Sequence, residues 1–221
     1  MNKNIGVVGA LGLSLLGSMP QVVMGAPMIY TGVVVTDVRI GNRPLHNATV
    51  TIRFTGDTAD IVQVPLNPPT SCFQYLPKGA ATVSFEYRGR TQSARIEEGQ
   101  LFVALDACNG GIGFGSFIGV NGLEPIYPLA FELGTAEFAA YAGLTSVVSA
   151  TGDAWSCIGG YPSPNNTPTC ASPDPYPIHS DIGDLFFYLP YTDIVTSTGT
   201  ISSNHNGSYN RGTFSIRAGK D

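Results

Sequence analysis

The sequence predicts an all-β protein: an antiparallel β-sandwich of the Greek-key, immunoglobulin-like or jelly-roll-like kind, with at most one short helix and a Pro-rich loop late in the chain. Three observations carry this expectation. Short runs of Val, Ile, Thr, Phe and Tyr alternate with polar residues, the period-two pattern of a strand with one dry face. Glycine (27) and proline (16) are plentiful, as a chain of many turns requires. Charged residues make up only 12% of the chain, about half the usual share, so the Glu and Lys of long helices are scarce.

From the N-terminal side, Ile29 to Val38 is β-branched and ends near the turn signal Gly41-Asn42. Val50, Ile52 and Phe54 alternate with Thr49, Thr51, Arg53 and Thr55, a half-buried strand. Gly56-Asp57 and Asn67-Pro68-Pro69 punctuate the stretch after it. Val83, Phe85 and Tyr87 alternate with Thr82, Ser84, Glu86 and Arg88, and Gly89 marks a tight hairpin into Arg90 to Ile96. Leu101, Val103 and Leu105 alternate again after Glu98-Gly99. The glycine-rich run Asn109 to Gly115 reads as a loop or a bulged strand, with Phe114 and Phe117 packing inward. Pro125 to Leu133 reads as a further strand or an edge, because Pro125 and Pro128 have no N–H to donate. Glu132 to Ala142 is the one helix candidate, and Leu144 to Ser149 reads as a strand. Residues 157–178 are a loop rich in Pro and Asn. Asp184 to Leu189, between Gly183 and Pro190, reads as a buried strand. Asp193 to Thr200 and Thr213 to Arg217 are the last strands, with the polar stretch Ser202 to Gly212 between them.

The first 26 residues read as a secretory signal peptide, leaving 27–221 as a single sandwich domain. Lys3 gives a positive start, Ile5 to Leu16 an apolar run of about a dozen residues, and Gly25-Ala26 a small-residue cleavage site. A spanning helix needs about 20 apolar residues, so the run is short for an anchor, and no second run approaches that length. The expected compartment is therefore extracellular or periplasmic. The formal net charge of −5 gives no footprint for nucleic acid, and no polybasic segment addresses anionic lipid.

Export decides how the four cysteines read. Cys72, Cys108, Cys157 and Cys170 all lie beyond the signal, and an even count in an exported chain implies disulfides. The expected pairing is sequential, Cys72 with Cys108 and Cys157 with Cys170. The second bond closes a loop holding Pro162, Pro164 and Pro168, worth about 3 kcal/mol by chain entropy. Zinc is the rival use, but the spacings are not C-x-x-C.

No motif names a chemistry, and no cofactor is implied. The run Asn109 to Gly115 lacks the G-x-x-x-x-G-K-[ST] pattern of a phosphate loop, and Ser116 lacks a G-x-S-x-G context. Of the three histidines, His46 sits in a short turn and His205 in a polar loop. His179 has Ser180, Asp181 and Asp184 close behind it, so an imidazole and a carboxylate there could polarise each other in a hydrolase. The competing reading is a hydrogen-bonded loop that caps a strand. Asp181 and Asp184 are also the better pair for extracellular calcium, while Asp57 and Asp60 read as turn residues. Aromatics gather late in the chain: Trp155, Tyr161, Tyr176, Phe186, Phe187, Tyr188 and Tyr191. Trp155, Tyr161, Tyr176 and Tyr191 are the binding candidates, for stacking a glycan or docking an envelope or extracellular protein. Glycosylation patterns N-x-[ST] stand at Asn47, Asn165 and Asn206. A binding or structural role is thus expected ahead of catalysis.

Overall fold

The computed structural model describes residues 25–64, 73–106, 111–116, 126–132, 143–157, 177–188, 193–195, 201–203 and 210–219. They form fourteen strands and a single 3-10 turn at Thr58–Asp60. The strands are β1 (Pro27–Ile40), β2 (Arg43–Asp57), β3 (Val62–Val64), β4 (Phe73–Leu76), β5 (Ala80–Tyr87), β6 (Arg90–Ile96) and β7 (Phe102–Asp106). They continue as β8 (Gly111–Ser116), β9 (Ile126–Glu132), β10 (Val148–Cys157), β11 (Leu185–Tyr188), β12 (Asp193–Val195), β13 (Ile201–Ser203) and β14 (Asn210–Ala218). Every pairing among them is antiparallel. Twelve strands make one sheet, in the order β3-β4-β7-β8-β9-β10-β14-β1-β2-β5-β6, with β11 beside the far half of β1. β12 and β13 pair only with each other.

Turn chemistry explains the hairpins. Arg88 and Gly89 both have positive φ (51° and 70°), as the two-residue turn between β5 and β6 requires. Gly41, at φ 56°, turns β1 into β2. Along these strands the alternation read from the sequence is real. Val50, Ile52 and Phe54 are buried, as are Val83 and Phe85, while Thr51, Arg53 and Thr55 face outward.

The sheet cannot lie flat. β2 reaches β3, β4 reaches β5 and β6 reaches β7 through links of only a few residues, yet each pair stands eight places apart in the sheet order. Eight spacings of a flat sheet span about 38 Å. The β4–β5 link, Pro77 to Gly79, stretches to at most about 14 Å. The sheet therefore folds over and meets itself. Gly32 of β1 shows the meeting face. A Cβ there would stand 2.8 Å from the Phe114 ring of β8 and 2.9 Å from the Phe131 ring of β9. Gly212 of β14 also makes room for Phe131. One hydrophobic cluster fills the interior, from Tyr30, Phe54 and Phe85 through Phe114, Phe131 and Leu144 to Phe187 and Phe214. A buried polar tie runs through it: the Tyr30 hydroxyl donates to the Leu144 carbonyl at 2.8 Å, and the Leu144 N–H donates to Gln74 of β4 at 3.2 Å.

Several expectations need correction. Of the two readings of the glycine-rich run, the bulged strand holds and the loop does not: Gly111–Ser116 is strand β8, interior to the sheet, with a register shift against β9 between Phe114 and Ser116. β9 is a strand, as one of the two readings had it, and it is interior rather than at an edge although it contains Pro128. It carries an extra residue against both neighbours. Leu129 and Ile126 oppose Phe114 and Ser116, and Ala130 and Tyr127 oppose Trp155 and Cys157. Pro128 sits in that bulge, where a missing N–H does least harm. Glu132 closes strand β9 instead of opening a helix; 133–142 lie outside the described residues. The strand expected from Leu144 starts only at Val148, because Ser146 turns back to donate to the Gly143 carbonyl.

Candidate functional site

His179, Asp181 and Asp184 share one place, the segment 177–185 ahead of β11. Ile178 and Leu185 face each other through two backbone hydrogen bonds, 3.0 and 2.9 Å, and both side chains are buried. Between them the chain turns tightly. The Ser180 hydroxyl donates to the Gly183 carbonyl at 2.6 Å, and the Gly183 N–H returns to the Ser180 carbonyl. Gly183, at φ 111°, takes a backbone that side-chain-bearing residues avoid.

This turn stitches two parts of the sheet together. Toward β6, Glu97 donates its N–H to the His179 carbonyl and Asp181 donates its N–H to the Arg95 carbonyl. Arg95 returns its N–H to the Asp181 carboxylate at 2.8 Å. Gln100 accepts from the His179 N–H at 3.2 Å. Toward the β1–β2 hairpin, Gly41 donates to the Asp184 carbonyl at 2.7 Å. β11 then continues along β1, from Ile40 opposite Leu185 to Asp37 opposite Tyr188. Phe187 turns into the core, while Phe186 lies under the Arg39 guanidinium, 3.9 Å from the ring centre.

His179 and Asp184 do come together, with Nδ1 2.7 Å from a carboxylate oxygen. An ionised carboxylate only accepts, so Nδ1 carries the hydrogen and Nε2 keeps the lone pair in the neutral ring. That orientation resembles the base of a catalytic triad. Its surroundings differ from one. Both side chains are open to water, at 41% and 48% exposure, where such a pair is screened. Ser180 is committed to the turn, and Ser116, fully buried in β8, is inaccessible as a nucleophile. Asp181 is spent on the β6 backbone rather than joined to Asp184, and no group of three metal-ligating side chains forms among the described residues.

A second imidazole–carboxylate pair was not foreseen. β2 bulges at His46 and Asn47, opposite Asp37 of β1. Asn47 has a positive φ of 55° and donates its N–H to Asp37 at 2.8 Å; His46 Nδ1 lies 3.0 Å from the other carboxylate oxygen. The His46 contact and the Asn47 N–H hold the Asp37 carboxyl below the usual carboxylate range. Only the register reveals this pair, because nothing in the local sequence marks the bulge. Asp57 and Asp60 behave as turn residues. Asp57 accepts the Ala59 N–H at the head of the 3-10 turn, and Asp60 pairs with Lys78 at 3.0 Å.

Trp155 stands in β10 opposite Ala130, with its backbone alone described. Tyr161, Tyr176, Tyr191, His205, Cys72, Cys108, Cys170 and residues 1–24, for which the sequence predicts a signal peptide, lie outside the described residues. No helix among the described residues is long and apolar enough to cross a membrane. Comparison of the chain with protein-family models, with curated proteins and with solved structures finds no match.

Proposed function

We propose that the chain is an exported β-sandwich module with a binding role, and that its working surface is the late part of the chain, around Trp155 to Tyr191. The sandwich reading, of the Greek-key or jelly-roll kind, is supported by the three short links that each join strands eight places apart. Export is supported by the charged start, the apolar run and Gly25-Ala26.

One observation carries the binding reading over the hydrolytic one. Of the groups that would serve His179, the Ser180 hydroxyl closes the turn on Gly183 and the Asp181 carboxylate is taken by the β6 backbone, which leaves only the water-exposed Asp184 carboxylate on the imidazole. The turn behaves as a clasp that anchors one end of the late segment. The aromatics Trp155, Tyr161, Tyr176 and Tyr191 then supply stacking surface, for which a glycan is the fitting ligand. The test is a glycan array probed with the mature protein and with Tyr161→Ala and Tyr176→Ala variants. Binding to a defined glycan class, weakened at least about tenfold by either variant, supports the proposal. Binding unchanged by every late aromatic substitution defeats it.

A further inference from the structure

We infer that the open half of strand β6 is a docking edge, and that its occupant is an extended strand of a partner protein with an acidic end. β6 stands last in the sheet order, with β5 on one side only. The two-residue turn Arg88-Gly89 fixes which of its backbone groups face β5. Tyr87 and Arg90 flank that turn, so they form a hydrogen-bonded pair, and bonded and unbonded pairs then alternate down the ladder. Gln92, Ala94 and Ile96 bond to β5. Thr91, Ser93 and Arg95 turn their N–H and C=O groups the other way, toward the open edge.

The clasp obeys the same phase. The Arg95 carbonyl accepts the Asp181 N–H at 3.0 Å, and the Arg95 N–H donates to the Asp181 carboxylate at 2.8 Å. Glu97, the next outward residue, donates to the His179 carbonyl at 3.1 Å. Ile96 and Ser180 are antiparallel partners between them. The chain thus lays a short strand of its own, 179–181, on this edge. Continued in register, Gly183 would face Ser93 and Leu185 would face Thr91. Instead the turn closed by Ser180 and Gly183 carries the chain away, and Leu185 pairs with Ile178 and Ile40. Among the described residues, nothing meets the outward backbone groups of Thr91 and Ser93. Arg90, Thr91, Gln92 and Ser93 are all exposed. An added strand would take up an N–H and a C=O from each of Thr91 and Ser93, the main-chain mode of strand addition.

Charge selects the occupant. Arg88 and Arg90 stand exposed at the turn end of the open stretch, and the Arg88 guanidinium lies over the Tyr87 ring, 5.0 Å from its centre. At the other end the Asp181 carboxylate already sits on the edge. An acidic end therefore belongs beside the turn, and the rest of the added strand lies along the uncharged Thr91, Gln92 and Ser93. Glu86 opposes Thr91 on β5, but an added strand would be two spacings from it, about 10 Å, where water and salt screen the repulsion. A second copy of this chain fits poorly. Antiparallel pairing of two β6 edges about Gln92 would bring Arg88 and Arg90 of each copy to the Arg95 end of the other, setting like charges together. The arginines that attract an acidic strand thus also guard the edge against self-pairing. None of the late aromatics enters this edge, so it stands or falls apart from glycan binding.

The test is amide hydrogen exchange on the full chain with two synthetic peptides, Thr-Val-Thr-Val-Glu-Glu and the same peptide ending in Lys-Lys. The acidic peptide should slow exchange at Thr91 and Ser93 by about tenfold or more, and the lysine peptide should not. Two variants complete the test. Ser93→Pro removes an N–H that points away from β5, so the ladder stays whole while the docking bond is lost. Arg88→Glu with Arg90→Glu leaves the backbone intact and reverses the charge at the turn. Each should abolish the slowing by the acidic peptide in a folded protein. No slowing in the wild type, equal slowing by both peptides, or slowing retained in either folded variant overturns the inference. So does protection of Thr91 and Ser93 in the free protein that rises with its concentration, because a second copy then fills the edge.

Discussion

Tyr30 shows how much one side chain joins in this fold. Burial raises its hydroxyl above the ordinary tyrosine range, so it stays neutral and donates to the carbonyl of Leu144, 114 residues away. Tyr30→Phe keeps the ring but strands that carbonyl in the core. It should lower stability by about 1–2 kcal/mol, read as a shifted midpoint in chemical denaturation with an unchanged slope. Asp37 makes a different prediction, in pH. Its carboxyl titrates below the usual range when folded, so the unfolded chain takes up the proton first. Its contribution is complete at neutral pH and is lost as pH falls below about 4, toward the lowered folded value. The pair with His46 is exposed, so the effect is under about 1 kcal/mol. Wild type and Asp37→Asn should differ by that amount at pH 7 and converge in acid. At this scale the sequence was half legible. The nearness of His179 to two aspartates along the chain pointed to a real contact with Asp184. Which aspartate would be taken by β6, and that Asp37 would face His46, depended on strands that meet only after folding.

Among the elements, the half-buried strands were the most legible, because alternation records a dry face directly. β5 obeys it residue by residue, and β2 does so from Ala48 to Phe54. β8 and β9 were harder. Glycine and proline normally break strands, yet here Gly32 and Gly212 make room for the Phe131 ring of β9, and a bulge takes up Pro128. The signal for β8 and β9 lies in the partner strands, out of reach of a local pattern. The nearest atoms to a Cβ added at Gly32 are aromatic ring carbons, which can shift, so Gly32→Ala should cost about 1–3 kcal/mol. Gly212→Ala also meets the Val33 carbonyl at 2.5 Å, which side-chain rotation cannot relieve, so its loss should exceed that of Gly32→Ala in the same thermal unfolding measurement. The 177–185 clasp is testable at this scale too. Asp181→Ala removes the acceptor of the Arg95 N–H at the margin of β6. Hydrogen exchange at Arg95 should quicken by about tenfold or more, with exchange in β1 and β2 unchanged.

For the whole molecule, composition and alternation were enough for an all-β antiparallel chain, because scarce charge and frequent turns act on every element at once. The strand order was not legible. It depends on three short links that carry the chain between places eight strands apart, and link length constrains topology only once the partners are known. That folded arrangement brings the late segment back against β6 and the β1–β2 hairpin, where the polar groups near His179 become a clasp. The most direct test of the clasp takes His179→Ala through two assays at once, glycan binding and turnover of a panel of ester, peptide and glycoside substrates. The variant should fold and keep wild-type glycan binding within about twofold, and neither protein should turn over any substrate. Turnover by the wild type, lost in a folded His179→Ala protein, would contradict the binding role and make the clasp an active site.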